Sequence, residues 1–122
     1  MSANRGKDTK PELTLRLALR EAGHSGYRLH WDVPGRPDIC YPGRMVAIFV
    51  NGCFWHRCPH CDLPLPRSNV GFWEEKFRRN KERDAQKLVE LEKAGWKVLT
   101  FWECQLKDDL EGCVKMVRKY LD

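Results

Sequence analysis

The chain has 122 residues, a formal net charge of +5 and a pI near 9.0, with 32% charged and 11% aromatic residues. This length predicts one domain over residues 1–122, with a modest core that a structural metal would reinforce. No run approaches the ~18 apolar residues of a membrane span, and the polar start lacks the apolar core of a signal peptide. A cytoplasmic protein with no membrane partner is therefore expected, and the basic balance favours a polyanionic one.

Residues 1–8 read as a flexible arm. Thr9 and Glu12 have capping-box spacing and Pro11 suits a first turn, so a helix is expected up to about Ala22, before Gly23. Leu13, Leu15, Leu17, Ala18, Leu19 and Ala22 would lie inside, more than one stripe. Tyr27 to Trp31 reads as a strand, Val33 to Pro37 as a loop, and Asp38 to Tyr41 as a short strand. Pro42-Gly43 makes a turn into the central strand, Arg44 to Asn51, whose apolar run is rich in β-branched residues. Residues 52–69 have no period and three prolines, so this loop needs an organiser. Gly71 to about Ala94 forms a long helix with Trp73, Phe77, Asn80, Asp84, Leu88 and Leu91 on one face. Lys97 to Glu103 is a fourth strand that can pair in parallel after the helical crossover. Lys107 to Tyr120 closes the chain as a helix, with Leu110, Val114, Val117 and Leu121 inside.

The loop opens with five potential metal ligands in nine residues: Cys53, His56, Cys58, His60 and Cys61. Closely spaced Cys and His in a chain expected to be cytoplasmic suggest a metal rather than disulfides. Cys53, Cys58, Cys61 and Cys104 can make a tetrahedral Cys₄ zinc site, and His60 could replace Cys61 or Cys58. Cys40 and Cys113 lack near partners and read as core.

Four separated stretches carry a resemblance: GRPDI around Asp38, the strand ending in NGCFWH, EKxxRNxERD at 75–84 and WEC at 102–104. In this order they resemble the very-short-patch-repair (Vsr) endonucleases, which nick DNA beside a T·G mismatch left by deamination of 5-methylcytosine. The likeness runs from about Gly6 to Leu106. It implies an α/β fold of restriction-endonuclease type, a mixed sheet flanked by helices, with a structural zinc. The ligands implied are Cys53, Cys58, Cys104 and either Cys61 or His60.

Phosphodiester hydrolysis needs charge stabilisation, an activated water and a group for the leaving oxygen. Asp38 at a strand start can offer Mg²⁺ a carboxylate oxygen, and the backbone carbonyl of Val50 another if the strands pair. His56, near a metal ligand, can move a proton. By motif, the resemblance makes Asp38 the metal-binding acid and His56 the catalytic histidine. It places Glu12 beside a metal-bound water and gives Asp84 a role in supporting histidine. The family pattern has Thr-His where this chain has Val50-Asn51. A backbone ligand survives that change; a second imidazole does not, and Asn51 can bond phosphate or water but relays no proton. Taken singly, Asp38 also reads as a turn acid, Glu12 as a cap, Asp84 as a solvated charge and His56 as structural.

Exposed aromatics can wedge between base pairs, and the resemblance assigns this to Phe54, Trp55 and Trp73, with Lys76 and Asn80 beside the mispaired bases. Phe72 and Phe77 read as core. Arg78, Arg79, Lys81 and Arg83 would serve phosphates, and the arm bearing Arg5, Lys7 and Lys10 would reach the duplex. The expectation is a monomeric Mg²⁺-dependent endonuclease acting on double-stranded DNA with a mismatch. Rival readings are a same-fold nuclease for other DNA, a non-catalytic zinc-stabilised DNA-binding module, and a redox protein using Cys58 and Cys61.

Overall fold

The computed structural model describes residues 9–29, 31, 33, 35–53, 58, 59, 61 and 64–121. Four strands form one mixed sheet in the order β1 (Arg28–Leu29), β2 (Ile39–Tyr41), β3 (Val46–Asn51), β4 (Lys97–Trp102). The first three pair antiparallel as the expected meander. β4 pairs in parallel with β3, Val46 opposite Lys97 and Asn51 opposite Trp102. The crossover is helix α2 (Val70–Lys93). It stops at Gly95, whose φ of +95° suits a residue without a Cβ.

β3 begins at Val46 rather than Arg44. A 3₁₀ turn occupies Pro42–Arg44, and Met45 takes a left-handed φ of +56°, which breaks extended pairing there. β1 is shorter than expected, and Trp31 falls outside it.

Alternation along β3 divides the core. Val46, Ile48 and Val50 join Leu99 and Phe101 of β4 on one face, under helix α1 (Lys10–Glu21) and helix α4 (Leu110–Leu121). Ala47 and Phe49, with Val98, meet Leu91 and Trp96 on the other face, where α2 lies. This is a sheet sandwiched between helices.

Helix α1 corrects one expectation. Leu13 and Leu17 are 49% and 56% exposed, and the buried stripe is Glu12, Leu15, Arg16 and Leu19. At 3.6 residues per turn these four share a face, whereas 13 and 17 point roughly 110° and 150° from its centre. A further short helix, α3 (Glu103–Asp108), was not expected. Gln105 turns its side-chain oxygen back to the Trp102 N–H at 2.8 Å, ending β4 before Glu103. The Asp109 carboxylate accepts the Gly112 N–H at 3.0 Å and starts α4 separately, so the closing helix begins at Leu110, not Lys107.

Two contacts set the direction of α1. Its C-terminal end is tied to the Tyr41 end of β2, where the Tyr41 hydroxyl donates to the His24 carbonyl at 2.8 Å. Helix α3, which leaves the Trp102–Asn51 end of the sheet, touches α1 as well. The N-terminus of α1 therefore lies at the end where β3 finishes. Helix α2 has 24 residues, about 36 Å, against about 20 Å for the six residues of β3. Its C-terminus is fixed at the Val46 end, where Lys97 N–H meets the Met45 carbonyl at 2.7 Å. The first half of α2 thus extends past the sheet.

Candidate active site and cysteine cluster

The loop before Asp38 is pressed onto α2. Gly35 has φ +81°, and a Cβ there would meet Lys87 Cβ at 3.0 Å and Phe49 Cζ at 3.5 Å. Pro37 is fully buried. This loop delivers Asp38 to the end of β3, where its Oδ2 accepts the Val50 N–H at 2.7 Å. The half-buried acid thus stands against the backbone of the residue the sequence paired with it. The Val50 side chain points into the α1-side core.

Asn51 continues the alternation and faces α2. It lines a cleft of ≈ 370 Å³ together with Lys81, Asp84 and Lys87 of α2 and Thr100 and Trp102 of β4. Asn51 and Asp84, a strand end and a mid-helix acid far apart in sequence, therefore share one space. Asp38 is not among the lining residues but is bonded to the residue before Asn51.

Glu12 sits on the other side of the sheet and is only 2% exposed. Its Oε2 accepts the Thr9 hydroxyl at 2.9 Å and the Thr9 N–H at 3.4 Å, the expected reach back to the cap. Its Oε1 accepts Arg16 Nη2 at 3.2 Å. The direction of α1 places Glu12 at the Asp38 end. His56, His60, Phe54 and Trp55 lie outside the described residues.

The cysteines expected to bind metal do converge. The Sγ atoms of Cys53, Cys58, Cys61 and Cys104 lie within 4.8 Å of one another and could hold a metal ion. Cys58 and Cys104 are 3.6 Å apart, far beyond a disulfide bond. Two backbone bonds link them: Cys58 N–H meets the Cys53 carbonyl at 2.9 Å, and Cys104 N–H meets Cys53 Sγ at 3.4 Å. Hydrogen bonding from Cys53, then Cys104, pushes the Cys61 thiol up to about 12. Burial first, then hydrogen bonding with Cys58, raises Cys104. A bound cation would reverse these tendencies by favouring thiolates. Cys40 and Cys113 are buried core residues, as expected.

On the overhanging half of α2, Phe77 is buried and Trp73 stacks on it at 5.6 Å. Phe72, expected in the core, is instead 61% exposed and stands edge-on to Trp73 at 5.3 Å. Its position one residue before Trp73 turns it off the buried stripe. Lys76 is exposed and Asn80 half-buried one turn on. Arg78 is enclosed by acids of its own helix: Nε and Nη2 on Glu75, Nη1 on Glu82 at 2.9 Å. Arg79 Nε meets Glu75 at 2.9 Å. The two arginines, Arg78 first, hold the Glu75 carboxyl below its usual range.

Two residues near these sites escaped sequence reading. Arg16 could have been found from its four-residue spacing to Glu12. Glu103, whose Oε1 accepts the Cys53 N–H at 3.5 Å, precedes Cys104 in the WEC motif.

Comparison with known proteins agrees with this fold. The family profile described as DNA mismatch endonuclease Vsr matches residues 1–63. The type II nicking enzyme V.XorIIP of Xanthomonas oryzae pv. oryzae is 40% identical over all of this chain and 89% of its own length. The DNA mismatch endonuclease Vsr of Escherichia coli K12 is 38% identical over 88% of this chain and 69% of its own. Among solved structures, the catalytic domain of the homing endonuclease I-Bth0305I superposes with a TM-score of 0.61 at 27% identity, covering 92% of this chain and 93% of that one. Fold, site and relatives define a DNA endonuclease. Within that class, the chain belongs to the Vsr family. No described helix is long and apolar enough to cross a membrane.

Proposed function

We propose that this single-domain, monomeric protein is a Mg²⁺-dependent endonuclease that nicks one strand of double-stranded DNA beside a T·G mismatch arising from 5-methylcytosine deamination. The observation that carries the reading is the Asp38 carboxylate bonded at 2.7 Å to the Val50 N–H, at the strand end where Asn51 and Asp84 share a cleft. Asp38 and the Val50 carbonyl are hard oxygen donors, the type Mg²⁺ prefers. An ion held there would supply charge stabilisation and lower the pKa of a bound water. His56, which zinc binding at the neighbouring cysteines would fix, moves the proton; Asp84 supports the polar groups across the cleft; Asn51 bonds phosphate or water. Glu12 orders the attacking water from the α1 side.

Zinc fits the cysteine cluster. Zn–S bonds of about 2.3 Å put tetrahedral thiolates roughly 3.8 Å apart, and Cys58 and Cys104 are already 3.6 Å apart. Cys53, Cys58, Cys61 and Cys104 are the ligand set, with His60 the alternate. The ion would fix the loop carrying Phe54, Trp55 and His56. Those two aromatics and Trp73 wedge into the duplex, while Lys76 and Asn80 contact the mispaired bases.

The likeness to a homing endonuclease domain favours a second reading, the same chemistry on fully paired DNA. End-labelled duplexes with and without one T·G pair, in Mg²⁺ or EDTA, separate the two. A Mg²⁺-dependent nick confined to the mismatched duplex, and lost in Asp38→Ala and His56→Ala, supports the first. Cutting of the paired duplex supports the second, and binding with no cut under any metal refutes both.

A further inference from the structure

Glu12 and Arg16 occupy two of the four buried positions on α1, where the sequence led to leucines. Side-chain exposure is 2% for Glu12 and 10% for Arg16. Burying two such ions costs several kcal/mol each before their attraction is counted, and apolar residues of similar volume often serve stability as well or better. Packing alone therefore does not account for them. The ion pairs of α2 are different in kind, since Arg78, Glu75 and Glu82 are all about half exposed or more.

The contacts are also directional. Glu12 Oε2 is taken by Thr9 at the cap, and Oε1 by Arg16 one turn further into the helix. Both oxygens are held, so the carboxylate is fixed in rotation. It is fixed at the N-terminus of α1, which the Tyr41–His24 bond and the α1–α3 contact place at the Asp38 end of the sheet.

We infer that Arg16 is a positioning residue for hydrolysis: it holds the Glu12 carboxylate in the orientation from which Glu12 orders the attacking water. This rests on the role proposed for Glu12 above. Arg16 touches neither DNA nor the reacting atoms in this reading, so its loss acts on the rate and not on DNA binding.

The test compares full-length wild type, Arg16→Met, Arg16→Lys, Glu12→Gln and the double variant E12Q/R16M. Single-turnover nicking in Mg²⁺, DNA affinity in EDTA and thermal melting are measured on each, using whichever duplex the wild type cuts. In R16M a rate loss of about 10–100-fold is expected, the scale of a misplaced catalytic group, with affinity within about twofold. R16K should recover most of the rate, because a lysine ammonium can supply Oε1 with a charged donor in place of Arg16 Nη2. E12Q and E12Q/R16M should nick at the same low rate. Wild-type nicking by folded R16M beside an impaired E12Q would overturn the Arg16 role alone. So would losses that multiply in the double variant, or a Lys variant no better than Met. Wild-type nicking by E12Q would remove the Glu12 reading and this inference with it. Should R16M not fold, R16K carries the comparison: a rate loss that disappears in the E12Q background supports the role, and one that persists there overturns it.

Discussion

The Oδ2 of Asp38 lies 2.7 Å from the backbone nitrogen of Val50. A side chain at the start of one strand thus closes the hydrogen-bonding capacity at the end of its neighbour. The acid is delivered by the loop before β2 and held by the neighbouring strand, which gives the carboxylate a structural duty beside the chemical one proposed for it.

Those duties separate by substitution. Asp38→Asn retains an acceptor for Val50 and should melt near the wild type, with nicking lost. Asp38→Ala should lose nicking and also about 1–3 kcal/mol of stability, the usual cost of a buried donor left without its partner. Thermal melts beside single-turnover rates check this; an Asn variant that still nicks well would contradict the metal-binding role.

Zinc removal should act on fold first and cutting second. Chelation at neutral pH, or Cys104→Ala, should release about one zinc per chain and lower the melting temperature. Cys40→Ala, outside the cluster, should leave the zinc content unchanged. Atomic absorption on each purified variant gives the answer.

Cys40 gives stability a pH dependence. Burial pushes its thiol up to about 11, with Arg28 opposing, above the ordinary value of 9.0. The neutral thiol is the folded form, so the unfolded chain releases its proton first as pH rises. Stability is complete below about pH 8.5 and declines towards about 11, where the folded thiol also ionises. The loss should be on the order of 2–3 kcal/mol from this group. Urea midpoints at pH 8 and 10.5 should converge between wild type and Cys40→Ala as pH rises; a constant gap would refute the assignment.

Glu75 restrains two arginines on an exposed helix face. Glu75→Gln should release them to phosphates and steepen the dependence of log affinity on log salt by about 0.9 per added contact. Stability should change by less than about 1 kcal/mol, since exposed pairs are weak. Salt titrations of duplex binding measure the slope, and an unchanged slope would mean that neither arginine meets DNA.

The two phenylalanines of α2 should behave oppositely. Phe77→Ala removes a buried ring and should cost about 3–5 kcal/mol. Phe72→Ala removes an exposed one and should cost under about 0.5 kcal/mol. Comparable losses in chemical denaturation would show that Phe72 is covered in solution.

The meander and the parallel fourth strand were readable because Pro, Gly and β-branched runs mark local boundaries. The cysteine cluster was readable because four thiols need one another chemically, whatever their distance in sequence. Helix α3 was not, since it follows β4 without a turn residue and depends on Gln105 reaching back to Trp102. The stripe on α1 was misread because its four leucines alternate along the chain, so two of them turn away from the buried face, and only packing shows that Glu12 and Arg16 take the other two buried positions. Asn51 and Asp84 were each legible as candidates, but their shared cleft is a product of the crossover.

The overhang of α2 makes the molecule a cantilever. Its root, from Asp84 to Leu91, lies against the sheet that carries Asn51, while its arm, from Val70 to Asn80, runs on past the strands with Phe77 as its buried anchor. Surface changes along the arm need not disturb the root. If the arm grips the duplex as proposed, a lineage built on this plan can change which duplex it holds and keep the same blade.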